Sequence, residues 1–152
     1  PNNFPLVYEI AKRIPINIDW HVFPDGHCCI VTPPEEFLIC KKGITLEKFI
    51  IKYVLPYFHN QLFRELKGYF LNERSHGDEG IKEFFLSKFN TQDSKKVSQW
   101  LLFIAKKKEP VRTANCFCSS GKKYRKCHKN LFRELSIFSS KQLIYYSMLM
   151  NI

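Results

Sequence analysis

Long apolar runs are absent from this chain of 152 residues. Nowhere does it hold the ~18–20 consecutive apolar residues that a membrane-spanning helix needs. It also lacks a basic-then-apolar start with a small-residue cleavage site, so no signal peptide is visible. Glycine is sparse, with only six residues, none in the clustered array of a nucleotide-binding loop, so adenylating chemistry of that kind is not expected. Acidic residues are few: 14, against 24 lysines and arginines. Apolar residues, at 45% of the chain, are plentiful enough to bury a core, so the chain is not a disordered tail. Its length suits one domain, or one domain with a small appendage.

The basic excess sits at one end. Residues 111–152 carry eight basic side chains and one acid, Glu134. Such a segment attracts phosphate backbones or acidic protein surfaces; the plainer reading is a solubilising face. The six cysteines fall into an early group (Cys28, Cys29, Cys40) and a late one (Cys116, Cys118, Cys127, with His128 adjoining). An even count is compatible with disulfides in a secreted protein. With no secretory signal and with metal-ligand spacing in the late group, the reading is a reducing, cytoplasmic setting.

Residues 4–10 follow a short strand pattern after Pro5. Residues 21–43 hold Pro24, Gly26, Pro33, Pro34 and Gly43, and that density of breakers predicts an ordered loop. From Thr45 the apolar residues Leu46, Phe49, Ile50, Tyr53, Val54, Tyr57 and Phe58 recur at helical steps. Pro56 inside that run should kink or split the helix, and the pattern stops near Gly68. Residues 79–89 and 94–107 read as two more helices, and 106–110 as a linker ending in proline. Ser139-Ser140-Lys141-Gln142 has the form of a capping box opening a last helix.

The late cluster runs Cys116-Phe117-Cys118, then eight residues, then Cys127-His128. Zinc takes four such ligands in a tetrahedron, and two pairs joined by a short loop can supply them. Gly121 permits the reversal between the pairs. In so short a segment, metal binding would supply the folding free energy. The ligand spacing and the Ser-Gly-Lys-Lys-Tyr core (Ser120 to Tyr124) resemble the SEC-C motif over roughly 15 residues. Phe117 and Ser119 stand where that family usually has proline and glycine, which leaves the ligands intact. The resemblance implies a zinc-binding appendage, not a catalytic one, that contacts protein or nucleic acid. Phe117 and Tyr124 could stack on bases, although packing around the zinc is the favoured role.

In the early cluster, a cysteine just after Pro24-Asp25-Gly26, with histidines near, is a weak candidate nucleophile. A wider pattern is His21-x-x-Pro24-Asp25-Gly26-x-x-Cys29, a helix, then Glu73-Arg74-Ser75-His76-Gly77 and Gly80-Ile81-x-Glu83-Phe84. Over residues 4–90 it is similar to the bacterial relatives of ubiquitin-conjugating enzymes found in antiphage (CBASS-type) operons. The resemblance implies an α+β fold in which strands lead into the cysteine loop and helices follow, with the N-terminal helix and first strands lying before Pro1. Residues 1–108 would then be the later part of a catalytic domain, and 109–152 a SEC-C module with a terminal helix.

Carried over by motif, Cys29 would form a thioester and His21 would open the active-site segment. His76, like His21, would be a nearby base for the attacking amine. Cys28 would compete as nucleophile or pack. The His-Pro-Asn triplet of the eukaryotic enzymes is absent, since His21 is followed by Val22 and Phe23. On this reading the protein is a transferase that passes a protein C-terminus to an amine. Its implied partner is a cyclic-oligonucleotide nucleotidyltransferase or another acyl donor or target. The alternative is a catalytically silent, zinc-containing adaptor that binds protein or nucleic acid.

Overall fold

The computed structural model describes residues 3–151 and is built of helices. The chain divides into two compact units, Pro1–Gly80 and Ile81–Ile152. Helix α1 is Pro33–Lys42, α2 Leu46–Phe49, α3 Leu55–Lys67, α4 Gly77–Phe89, α5 Ser94–Ala105, α6 Lys129–Leu135 and α7 Ser140–Leu149. Among the described residues no helix is long and apolar enough to cross a membrane.

The expected α+β, ubiquitin-conjugating-like fold is overturned. No sheet forms among the described residues; strand pairing is limited to the isolated bridges Tyr8↔His27, Val22↔Cys28 and Asn115↔Lys123. The physical reason is visible around Glu9. Its carboxylate accepts the N–H groups of Ala11 at 2.7 Å and Arg13 at 2.9 Å, which folds the backbone back on itself just where a strand would continue. Lys12 sits in the left-handed region at φ 55°.

The predicted loop over 21–43 also needs correction, because α1 occupies its second half. Pro33 and Pro34 begin this helix, where a missing N–H costs nothing. Glu35 and Glu36 follow in the first turn and Lys41 and Lys42 in the last, matching the helix dipole. Pro56 acts as expected. The α2 segment passes through a π turn, Ile50–Val54, in which the Leu55 N–H donates to the Ile50 carbonyl, and α3 starts around the proline. The helix ends at Gly68, whose φ of 83° a side-chain-bearing residue would resist.

In the first unit, Val22, Cys28, Leu38, Cys40, Phe49 and Phe70 are buried. The Phe4 ring lies 4.6 Å from that of Phe49. The Arg64 guanidinium covers the rings of Trp20, at 4.2 Å, and Phe70, at 4.5 Å, and donates to the Asp19 carbonyl. In the second unit α5 packs on α7. Phe85, Val97, Leu101, Ile104, Leu135 and Leu143 are wholly buried there. Ser98 ties the pair, its hydroxyl donating to the Ser147 carbonyl at 2.9 Å. The capping box of α7 is complete: Ser139 Oγ accepts from the Gln142 N–H, and the Gln142 side chain accepts from the Ser139 N–H. The segment read as a linker is pinned, since Lys107 Nζ donates to the Ser136 and Phe138 carbonyls.

Candidate functional site

Residues 112–128 form a hairpin-like loop closed by backbone bonds. The Cys116 N–H donates to the Lys122 carbonyl, and the Tyr124 N–H to the Ala114 carbonyl, both at 2.9 Å. Ser119 (φ 59°) and Gly121 (φ 74°) turn the chain between the two arms. A 3-10 turn, Tyr124–Lys126, follows, and the Cys127 N–H donates back to the Tyr124 carbonyl. His128 leads directly into α6, its carbonyl accepting from the Phe132 N–H at 2.8 Å.

These turns bring Cys116, Cys118, Cys127 and His128 together, with one ligand atom from each lying within 4.8 Å of all the others. Cys116 Sγ is 3.3 Å from His128 Nδ1, Cys127 Sγ is 3.2 Å from the same nitrogen, and Cys118 Sγ is 3.6 Å from Cys127 Sγ. A tetrahedral zinc, with bonds of ~2.3 Å to sulfur and ~2.0 Å to nitrogen, sets ligand atoms roughly 3.5–3.8 Å apart. These three separations match that spacing to a few tenths of an ångström, and all four ligand atoms lie within 4.8 Å of one another, so the donor set fits zinc.

Before metal binds, the electrostatics favour the ligand form at Cys118 and His128 and oppose it at Cys116, whose thiol zinc must deprotonate. Burial pushes the Cys116 thiol up to about 11. Burial raises Cys118 as well, but hydrogen bonds from Ser120 outweigh it and bring that thiol below its ordinary value. Burial lowers His128, favouring the neutral imidazole that a metal requires. Ser120 Oγ stands 3.2 Å from Cys118 Sγ and 3.6 Å from Cys127 Sγ. The Cys118 thiol donates to this oxygen here; once zinc makes Cys118 a thiolate the bond must reverse, with the hydroxyl as donor, a supporting role the sequence pattern did not single out.

An aromatic wall fixes the ligand histidine. The rings of Trp100, Phe89 and Phe117 lie 5.7, 5.9 and 5.4 Å from that of His128. Phe117 stacks on Phe103 at 4.8 Å, and Tyr124 is wholly buried with its hydroxyl donating to Glu109. Glu109 also accepts from Arg133 Nε at 2.8 Å. Both knuckle aromatics are therefore spent on packing.

The family model of the SEC-C motif matches residues 112–130. This segment is a SEC-C motif with a Cys3His ligand set. No curated protein and no solved structure matches the chain. The ubiquitin-conjugating and antiphage resemblance thus finds no support in these comparisons, and the fold it implied is absent.

The early candidates do gather. Phe23 and His27 close the turn over Pro24-Asp25-Gly26, and the Cys29 N–H donates to the His21 carbonyl at 2.8 Å. The His21 and His76 rings meet edge to face at 4.8 Å. Cys28 is buried, whereas Cys29 is half-buried and lines a cavity of about 200 Å³ with His21. Burial, then the charges of Glu36 and Cys28, raise the Cys29 thiol above its ordinary value, and burial likewise raises Cys28. Burial first, then His76, Arg64 and Arg74, lowers His21 to about 4. These shifts keep the thiol protonated and the imidazole neutral near pH 7.

Proposed function

We propose that the chain is a zinc-containing binding adaptor whose metal-pinned knuckle holds a cationic surface against a nucleic-acid backbone. The observation that carries this reading is the uncompensated charge around the ligands. Arg112, Lys122, Lys123, Arg125 and Lys126 are exposed. Among the described residues, no carboxylate lies within ion-pair distance of any of them. The nearby acids are engaged elsewhere: Glu109 with Arg133, and Glu134 with Lys88 at 3.1 Å. The Arg125 N–H donates to the Arg112 carbonyl, so cations distant in sequence sit side by side.

Zinc would be held by Cys116, Cys118, Cys127 and His128. With all four positions filled by protein, it supplies folding energy and leaves no open site for water. Because Tyr124 is buried and half-buried Phe117 is stacked on Phe103, neither offers a free face for bases, and recognition rests on phosphates rather than sequence. The thioester-carrier reading is weaker: Cys29 lines a cavity, but nothing beside it lowers its thiol pKa.

The test is duplex DNA binding by the zinc-loaded chain, followed by fluorescence anisotropy across salt. Three to five phosphate contacts predict a log–log slope between about −3 and −4.5, or roughly a 40- to 500-fold loss between 50 and 200 mM salt. Replacing Lys122 and Lys126 together by glutamine should flatten the slope by about 2. A slope shallower than about −1 overturns the reading. So does tighter binding to polyglutamate than to the duplex, which would assign the surface to acidic proteins.

A further inference from the structure

The cavity beside Cys29, within the first unit, is assigned no role by the knuckle. Its frame is fixed by three donors on two neighbouring carbonyls. The Tyr57 hydroxyl donates to the His21 carbonyl at 3.0 Å, the Cys29 N–H to the same oxygen at 2.8 Å, and Gln61 Nε2 to the Trp20 carbonyl at 2.7 Å. One wall comes from the π turn Ile50–Val54, which contributes Lys52 and Tyr53. A π turn carries one extra residue, which rotates the preceding helix face by ~100°. Tyr53 and Tyr57, four residues apart, share that face.

The charge of this cavity is one-sided. Lys52 and Arg74 line it, and no carboxylate does. Glu35 steadies Arg74 from outside, at 3.3 Å from one guanidinium nitrogen, which leaves the rest of that planar fork for another acceptor. Glu36, the acid whose charge acts on Cys29, accepts from the Phe4 N–H at 2.7 Å. His21, neutral near pH 7, adds a polar atom without a charge, while Ile30 and Tyr53 give apolar surface. At about 200 Å³ the cavity is smaller than the ~300–1,000 Å³ of a drug-sized site, so its occupant is compact.

We propose that this cavity binds a small oxyanion, a carboxylate or phosphate group on a compact body, between Lys52 and Arg74. The site is independent of the knuckle and of any chemistry at Cys29.

Chemical-shift mapping on the zinc-loaded full chain tests it, with inorganic phosphate, benzoate and neutral benzamide as probes. Saturable shifts at Lys52, Asn72 and Cys29 with phosphate or benzoate, absent with benzamide, are the expected result. Phosphate binding more tightly marks a phosphate ligand; benzoate binding more tightly marks a carboxylate with an apolar body. Lys52→Gln, a change at an exposed position, should weaken the anion by about fivefold. Shifts confined to residues 112–130, equal shifts with benzamide, or no saturable shift with either anion would overturn the proposal.

Discussion

Ser120→Ala isolates a side chain that hydrogen-bonds the metal ligands without being one. Its hydroxyl lies 3.2 Å from Cys118 Sγ and 3.6 Å from Cys127 Sγ, and a single hydrogen can serve only one sulfur at a time. The loss is therefore one hydrogen bond to a charged acceptor, about 1.5–3 kcal/mol. Removal of an outer partner of a metal ligand costs roughly 10- to 100-fold in metal affinity, or about 1.4–2.7 kcal/mol, so the two scales agree. The loss should be larger with zinc bound than without, because in the metal-free chain Ser120 Oγ only accepts, from the neutral Cys118 thiol at 3.2 Å and from the Lys122 N–H at a long 3.4 Å. Competition against a chromophoric chelator reads the affinity, and thermal melts of the metal-free and zinc-loaded chains read the partition. A zinc affinity within twofold of the parent would refute the donor role. An equal drop in stability of the metal-free chain would do the same, since it would make Ser120 a turn residue only.

The burial that holds His21 near 4 makes stability pH-dependent. A histidine with a lowered folded pKa contributes stability that is complete above its unfolded value near 6.5 and declines as pH falls toward 4. His21→Asn, a residue that tolerates the φ of 53° there, should flatten the urea-unfolding stability profile across that window; an unchanged slope would place the acid sensitivity elsewhere. Gly80→Ala should destabilise by about 1–3 kcal/mol, because a Cβ would strike the Ser75 carbonyl and sit 3.2 Å from Thr32 Cγ2; a neutral result in denaturant melts would contradict that packing. Ser139→Ala removes the side-chain half of the α7 cap and should cost about 1 kcal/mol in the same assay, with under 0.3 kcal/mol counting against the capping box.

What was legible in the sequence divides by the range of the interactions involved. The ligand set and the α7 cap are written within a dozen residues, where chain closure alone brings Cys116 to His128 and Ser139 to Gln142. The meeting of His21 and Cys29 was legible for the same reason, since Pro24-Asp25-Gly26 forces a turn between them and Gly26 takes a φ of 87°. The missed helix α1 also had local signals, but Pro33 and Pro34 were weighed as breakers rather than as the first turn, despite Glu35, Glu36 and the closing Gly43. The short α6 was missed because it starts at a ligand, so its N-terminus is set by the metal loop and carries no side-chain cap.

The sheet failed for a deeper reason. A strand pattern records what a segment could pair with, while pairing needs a partner of matching length far along the chain. Residues 4–10 have the pattern of a strand, yet they meet the Asp25 turn segment only through a single bridge, Tyr8↔His27, because Glu9 curls the chain and the turn leaves little extended backbone to pair with. The cavity lining was invisible for the same reason. Lys52, Asn72 and Arg74 approach Cys29 only after the π turn and the Gly68 stop have set the direction of the chain between them. Function in this chain therefore splits along the same line: the metal site can be derived from spacing, whereas the cationic cavity exists only as a consequence of the fold.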